Sequence, residues 1–394
     1  MRFRTLDQLD ARGKRVLLRA DLNVPVKDGR ITDLTRIERV CPNIRELCDK
    51  GGRVIVCSHF GRPKGKPVPE MSLRPVAEAL EKLLGRSVRF AGSLAAARDM
   101  SASLADGEVL LLENTRYDPR EEKNDPSMAR ELAALADVYV DDAFSSAHRA
   151  HASTEGVARL LPAYAGRLMQ AELEALDKVL GHPAHPLAAV IGGAKVSTKL
   201  PMLGNLVGRV DVLVLGGAMA NTFLAAQGNA VGKSMQEPDT YGAARDLLAR
   251  ARQVGCRVIL PQDVVVAAKL APDVPRQAVE VDAVPADAII LDLGPRSVDG
   301  LLGEIRDWRT MVWNGPLGAF EIPPFDAASK ALARAVADAT QAGHLISVAG
   351  GGDTDSLLNR AGVADRFSYV STAGGAFLEW LEGRTLPGVA ALEY

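Results

Sequence analysis

Cysteine is scarce in this chain: 394 residues contain four, Cys41, Cys48, Cys57 and Cys256. They form no CxxC pair and no spacing that suits zinc or a disulfide ladder, so a reducing, cytoplasmic setting is expected. Long apolar runs are also missing. The N-terminal stretch MRFRTLDQLDARGKR has no apolar signal core, and the longest uncharged run, Val212 to Gly232, is interrupted by Gly, Asn and Gln. Neither export nor membrane spanning is expected. Net charge is only −2, which argues against nucleic acid or a membrane surface as partner. The total hides 28 basic against 24 acidic residues in 1–170 and 19 against 25 in 171–394, an imbalance no larger than ordinary surface chemistry. Two nucleotide fingerprints are absent. No GxGxxG follows the first apolar run, which weakens a dinucleotide-binding dehydrogenase. Gly232-Lys233-Ser234 looks like the end of a Walker loop, but its first glycine would fall on Gln227.

What is present is the composition of an ordinary globular protein, 47% hydrophobic and 24% charged, at a length two to three times the roughly 150 residues of one domain. Short apolar runs alternate with longer helical patterns: VLLRA near 16, VIVCS near 54, VLLLE near 109, VYVDD near 138, AAVIGG near 188, VLVLGG near 212, VIL near 258, AIILDLG near 288, MVWNG near 311 and LISVAGGG near 345. Continuous apolar strands mean that both faces are covered by helices, so the expected fold is α/β, built of doubly wound parallel sheets. Between the fourth and fifth runs, Leu168, Leu173, Leu176 and Leu180 recur at helical spacing before Gly181 and Pro183, the candidate for a helix joining two domains.

In such sheets ligands bind beyond the carboxyl ends of strands. Four strand ends in the first half each lead to arginine: Asp21-Leu22-Asn23 with Arg36 beyond, Ser58-His59-Phe60-Gly61-Arg62, Glu113-Asn114-Thr115-Arg116, and Asp141 to Arg149. A single Arg is usually a solvated charge. Several guanidinium forks at one sheet edge match a small acid bearing both phosphate and carboxylate. His148 and His151 lack the carboxylate-rich helix that a metal pair would need.

In the second half, AAVIGG runs into Gly192-Gly193-Ala194-Lys195-Val196-Ser197-Thr198-Lys199, which reads as strand, glycine turn and helix start. Glycines admit phosphates close to the backbone, and Lys195 and Lys199, four apart, are expected on one helical face. Ala349-Gly350-Gly351-Gly352-Asp353-Thr354 reads as a second glycine-to-helix cradle, with Asp353 placed to hold Mg²⁺. Trp313-Asn314-Gly315-Pro316-Leu317-Gly318-Ala319-Phe320-Glu321 offers Glu321 to a ribose.

The blocks KRVLLRADLNVPV, SHFGRPKG, LENTRY, DDAFSSAHRAHAS, GGAKVSTK, VWNGPLGAFE, GGGDT and VSTAGGAFLEWLEGRTLPGVAAL resemble, in order and spacing, the phosphoglycerate kinase family almost from end to end. The resemblance implies two Rossmann-like domains joined by a helix and hinge. Residues 1–168 plus 378–394 would hold 3-phosphoglycerate or its bisphosphate, and 169–377 would hold Mg-ATP or Mg-ADP. It implies that Asp21, Asn23, Arg36, His59, Arg62, Arg116 and Arg149 bind the acid. Gly192, Ala194, Lys195, Lys199, Asn314, Glu321 and Gly351 to Thr354 (including Gly352 and Asp353) would bind the nucleotide, with Gly216, Gly217 and Gly294 shaping the adenine pocket. Arg36, Lys195, Gly351 and Gly352 would stabilise the transferring group, and a monomer is implied. The sequence departs from the family pattern in Asp141-Asp142-Ala143-Phe144-Ser145-Ser146 for the usual Asn-Asp-Ala-Phe-Gly-Thr, in Ala373-Gly374-Gly375 for a glycine triplet, and in Phe377 for a small residue. On the residues alone, another acyl-phosphate kinase remains open as the alternative.

Overall fold

The computed structural model describes residues 2–394. Two units divide the chain: Met1–Leu173 with Thr385–Tyr394, and Glu174–Arg384. The divisions fall a few residues beyond 168 and 377.

In the first unit the strands are β1 (Arg15–Arg19), β2 (Val26–Lys27), β3 (Arg30–Ile31), β4 (Arg53–Cys57), β5 (Val88–Ala91), β6 (Val109–Leu112), β7 (Val138–Asp141) and β8 (Ala163–Ala165). The helices are α1 (Thr35–Asp49), α2 (Arg74–Leu84), α3 (Leu94–Ala102), α4 (Pro126–Ala133) and the start of α5 (Arg167–Leu176), which runs across the division into the second unit. Strands β2 and β3 form a hairpin, and the other six make a sheet in the order β5-β6-β4-β1-β7-β8, every pairing parallel. Because strand side chains alternate faces, each apolar run feeds two cores. Val16, Leu18, Val54, Val56, Val109 and Val140 pack with Ile37, Ile44 and Leu47 of α1 and Leu80 of α2. Leu17, Ile55, Cys57, Leu110 and Tyr139 pack on the other face with Ala97 of α3 and Met128 and Leu132 of α4. Local signals set the helix ends: Ser93 accepts from the Ala96 N–H at 3.1 Å to start α3, and Gly85 at φ 67° closes α2.

The second unit contains β9 (Leu187–Ile191), β10 (Val212–Leu215), β11 (Arg257–Ile259), β12 (Asp263–Ala267), β13 (Arg276–Glu280), β14 (Ile289–Leu293), β15 (Thr310–Asn314), β16 (Ile346–Gly350) and β17 (Tyr369–Ser371). Its helices are α6 (Leu200–Leu206), α7 (Ala218–Ala226), α8 (Tyr241–Val254), α9 (Pro295–Glu304), α10 (Ala327–Gln341), α11 (Gly352–Ala361) and α12 (Gly375–Leu381). A second parallel sheet runs β11-β10-β9-β15-β16-β17. One expectation is corrected here. AIILDLG is a strand, β14, but it belongs to a separate three-stranded sheet, β13-β12-β14, and pairs antiparallel with β12. The chain returns to the first unit through α13 (Pro387–Ala390), where the Gly388 N–H donates to the Ala147 carbonyl at 2.9 Å. No helix among the described residues is long and apolar enough to cross a membrane.

Candidate active site

Strand β1 carries an arginine at each end: Arg15 pairs with Asp137 at the surface, whereas Arg19 is completely buried by the fold. Its Nε donates to Ser153 Oγ at 3.1 Å, and its Nη2 donates to His59 Nδ1 at 3.0 Å and to Ser146 Oγ at 3.3 Å. Burial first, and then the Arg19 charge, push His59 well below its ordinary pKa. The imidazole is therefore neutral, and since Nδ1 accepts from Arg19, the ring's proton sits on Nε2. Sequence reasoning passed over Arg19, although the lone charge in VLLRA was its signal.

The loop after β1 supplies Asp21 and Asn23. Arg36, in the first turn of α1, donates through Nη1 to both Asp21 oxygens at 3.1 Å and to the Asn23 carbonyl at 2.9 Å. Burial works to raise the Asp21 pKa, but Arg36 and the Ser145 hydroxyl, at 2.6 Å, hold it below its usual value. Asn23 Oδ1 accepts from the Gly61 N–H at 2.9 Å, and Arg116 Nη1 donates to the Gly61 carbonyl at 2.9 Å. Asn114 ties the loops after β4 and β6 by bonds to both polar groups of the Phe60 backbone. Arg62 and Arg149 are exposed. His151 is pushed down to about 4, by burial first and then by Arg116, Arg19 and Arg149. The seven expected acid-binding residues thus lie in loops or helix starts following β1, β4, β6 and β7. Among the described residues no group of three or more His, Cys, Asp or Glu is placed to hold a metal, His148 and His151 included.

In the second unit the strand ends meet so tightly that only glycine fits. Gly192 donates to the Asn314 carbonyl at 2.9 Å, and a Cβ on it would lie 1.9 Å from the Pro316 carbonyl oxygen. Gly315 is closed in the same way from the other side, a Cβ there lying 2.3 Å from the Gly192 carbonyl oxygen. Gly192→Ala is expected to destabilise this unit by about 1–3 kcal/mol through backbone displacement, read as a drop in its calorimetric Tm. An unchanged Tm would show that the crossing can open without strain.

Beside this crossing lies a cavity of about 470 Å³ whose walls include Ala194, Gly217, Leu291, Leu317, Glu321 and Asp353. Met235 and Leu270, exposed apolar side chains that sequence reasoning did not select, also line it. Asn314 links the neighbouring loops: its Oδ1 accepts from Lys199 Nζ and its Nδ2 donates to the Gly350 carbonyl at 2.7 Å. Burial lowers the Lys199 pKa from its ordinary value. Gly351, at φ 100°, precedes α11, so the first-turn amides of Gly352, Asp353 and Thr354 have no intrahelical acceptor. The Thr354 hydroxyl accepts from the Gly315 N–H at 2.8 Å and braces the crossing.

Several expectations change in detail. Lys195 and Lys199 do not share a helical face, because α6 starts only at Leu200, with Pro201 in its first turn; both lysines sit on the turn before it. Gly294 packs on Asp263 rather than lining the cavity, since a Cβ there would meet that carboxylate at 2.3 Å. Where Ala373 replaces a glycine of the family triplet, the positive φ falls on Gly374, at 42°, and Ala373 is unstrained. Phe377 is fully buried, with its ring in the space a Gly350 Cβ would take.

Comparison with known proteins agrees with this geometry. The family model described as phosphoglycerate kinase matches residues 6–384. The chain is similar to a phosphoglycerate kinase of Granulibacter bethesdensis, 59% identical with all of both chains covered. It is similar also to one of Dinoroseobacter shibae, 60% identical, again with full coverage of both. Among solved structures, the phosphoglycerate kinase of Coxiella burnetii matches with a TM-score of 0.94 at 42% identity, covering 99% of each chain. With matching sheets, cation-lined strand ends and glycine crossing, the chain belongs to the phosphoglycerate kinase family, phosphotransferases acting on a carboxyl group.

Proposed function

We propose that the first unit binds 3-phosphoglycerate, or the acyl phosphate made from it, through Asp21, Asn23, Arg36, His59, Arg62, Arg116 and Arg149, and that the second binds ATP or ADP at the glycine crossing. The observation that carries the first assignment is the convergence of cations on the loops at one sheet edge: Arg36 held by Asp21 and Asn23, Arg116 held by the Gly61 carbonyl, and the exposed Arg62 and Arg149. A neutral His59 donating through Nε2 adds a hydrogen bond without adding charge. For the nucleotide, the apolar cavity takes the base, Glu321 accepts from the ribose, and the phosphates lie toward Lys195, Lys199 and the amides of Gly351 and Gly352.

Both nucleophiles, a β-phosphate oxygen in one direction and a carboxylate in the other, are ionised at neutral pH, so no general base is needed. Rate enhancement is alignment plus stabilisation of charge on the transferring group by Arg36, Lys195 and the α11 amides. The exposed Asp353 fits Mg²⁺, which takes one or two carboxylates and fills its remaining positions from phosphates and water. When bound, the ion neutralises phosphate charge. Ligands held on different units exchange a group only when brought together, so closure with hinges near 168–180 and 371–375 is part of this reading. The setting is a cytoplasmic monomer without nucleic-acid or membrane partners.

A coupled assay with 3-phosphoglycerate, ATP and Mg²⁺ tests the assignment, together with calorimetric titration of each ligand. Turnover with acetate or carbamate but not 3-phosphoglycerate would overturn the assignment to the first unit.

A further inference from the structure

Among the described residues the buried guanidinium of Arg19 bonds to Ser153, Ser146, His59 and the Ala20 carbonyl and to no carboxylate, yet two carboxylates share its interior. Glu121, fully buried, reaches it through Ser153, whose backbone N–H donates to Glu121 at 3.0 Å and whose hydroxyl donates at 2.5 Å. Asp141, also fully buried, is the register partner of Arg19 across the parallel pair β1 and β7. Its Oδ1 accepts from the Ala143 N–H at 3.0 Å, while its Oδ2 is buried with no hydrogen-bond partner. A buried cation in a low-dielectric interior responds strongly to any charge that appears beside it.

We propose that Asp141 is a positioning residue for the acid substrate, acting through Arg19 to set how much positive charge the Arg19–His59 pair presents to a bound phosphorylated carboxylic acid. This rests on the reading of the first unit as the acid site. Ionised, the carboxylate offsets Arg19; protonated, it leaves that charge to attract the ligand.

The surroundings allow this switch near neutral pH. Burial pushes Asp141 up to about 6, against the Ala143 N–H, Arg19 and Tyr139, which favour its ionised form. Four of the ionisable groups around it stay silent there. Tyr139 is raised well above its usual value, Cys57 on β4 is pushed up to about 12, and His59 and His151 are depressed. Glu121 is raised by its burial, and the neighbouring Asp142 is raised to about 7, so the test must single out position 141.

The experiment is the KM for 3-phosphoglycerate of the wild type and of Asp141→Asn between pH 5.5 and 8, at saturating Mg-ATP. The amide keeps the shape and the Ala143 bond but cannot ionise. The ratio of wild-type to variant KM is expected to be roughly three to ten at pH 8, a coupling of about half to one pKa unit, and to fall to one as pH drops through about 6. Using the ratio cancels titration of the substrate's own phosphate, and repeating it with Asp142→Asn in both backgrounds removes the neighbour whose titration Asp141 itself shifts. Asp141→Ser, which also cannot ionise, is expected to give the same curve and serves if the amide variant folds poorly. A ratio that does not change with pH in either variant overturns the proposal. Failure of the wild type to bind 3-phosphoglycerate at any pH would instead overturn the reading of the site itself.

Discussion

Arg36→Ala is expected to lower kcat by about 10³-fold, the size found when one preorganised donor to a developing charge is removed, while KM for 3-phosphoglycerate changes by less than about threefold. The asymmetry follows from how the side chain is held. Three bonds through Nη1, to both oxygens of Asp21 and to the Asn23 carbonyl, fix a half-exposed guanidinium at the start of α1. The remaining N–H donors of the fork are available to a group in transit. Binding of the acid is spread over six other residues, so losing one cation changes it little. Arg36→Lys restores the charge but not the fork and is expected to recover only part of the rate. An unchanged kcat in the alanine variant would remove Arg36 from the chemistry.

Asp353→Asn is expected to weaken Mg-ADP binding by about 10²-fold while leaving metal-free ADP near its wild-type affinity. The contrast is what a metal-holding carboxylate predicts: it contributes through the ion and opposes a bare phosphate placed beside it. Titration calorimetry with and without Mg²⁺ separates the two cases. Equal losses for both forms would make Asp353 a structural residue of α11, and no loss in either would take it out of the site.

The strands that sequence reasoning found are those with both faces buried, such as Val16 to Leu18 and Val54 to Val56, because two-sided burial leaves an uninterrupted apolar run. Those it missed include the short or mixed VRFA in β5, AYA in β8 and YVS in β17, and also β12, whose VVVA run follows VIL of β11 after only a few residues. The exposed strand β13 has no apolar run to mark it as the partner of β12, so the small antiparallel sheet went unread and β14 was assigned to the wrong layer. At the sites, residues on strand-end loops were readable because glycine and arginine recur there. Arg19 escaped because its partners Ser146, Ser153 and His59 are 127, 134 and 40 positions away, a separation no local pattern spans. The two lysines at 195 and 199 were placed on a helix because four-residue spacing suggested one. The turn ahead of Leu200 has no apolar periodicity to reveal its non-helical path.

The return of residues 385–394 to the first unit has a bearing on how the polypeptide matures at the ribosome. The second unit is one unbroken stretch, Glu174–Arg384, made in full before the closing segment of the first. The first emerges earlier yet lacks the segment that buries Val389 and Leu392 and sets Gly388 against Ala147, where even a methyl group would come within 2.9 Å of the backbone. The half that leaves the ribosome first is thus the last to be completed, since the segment that seals it is made only after the whole of the second unit.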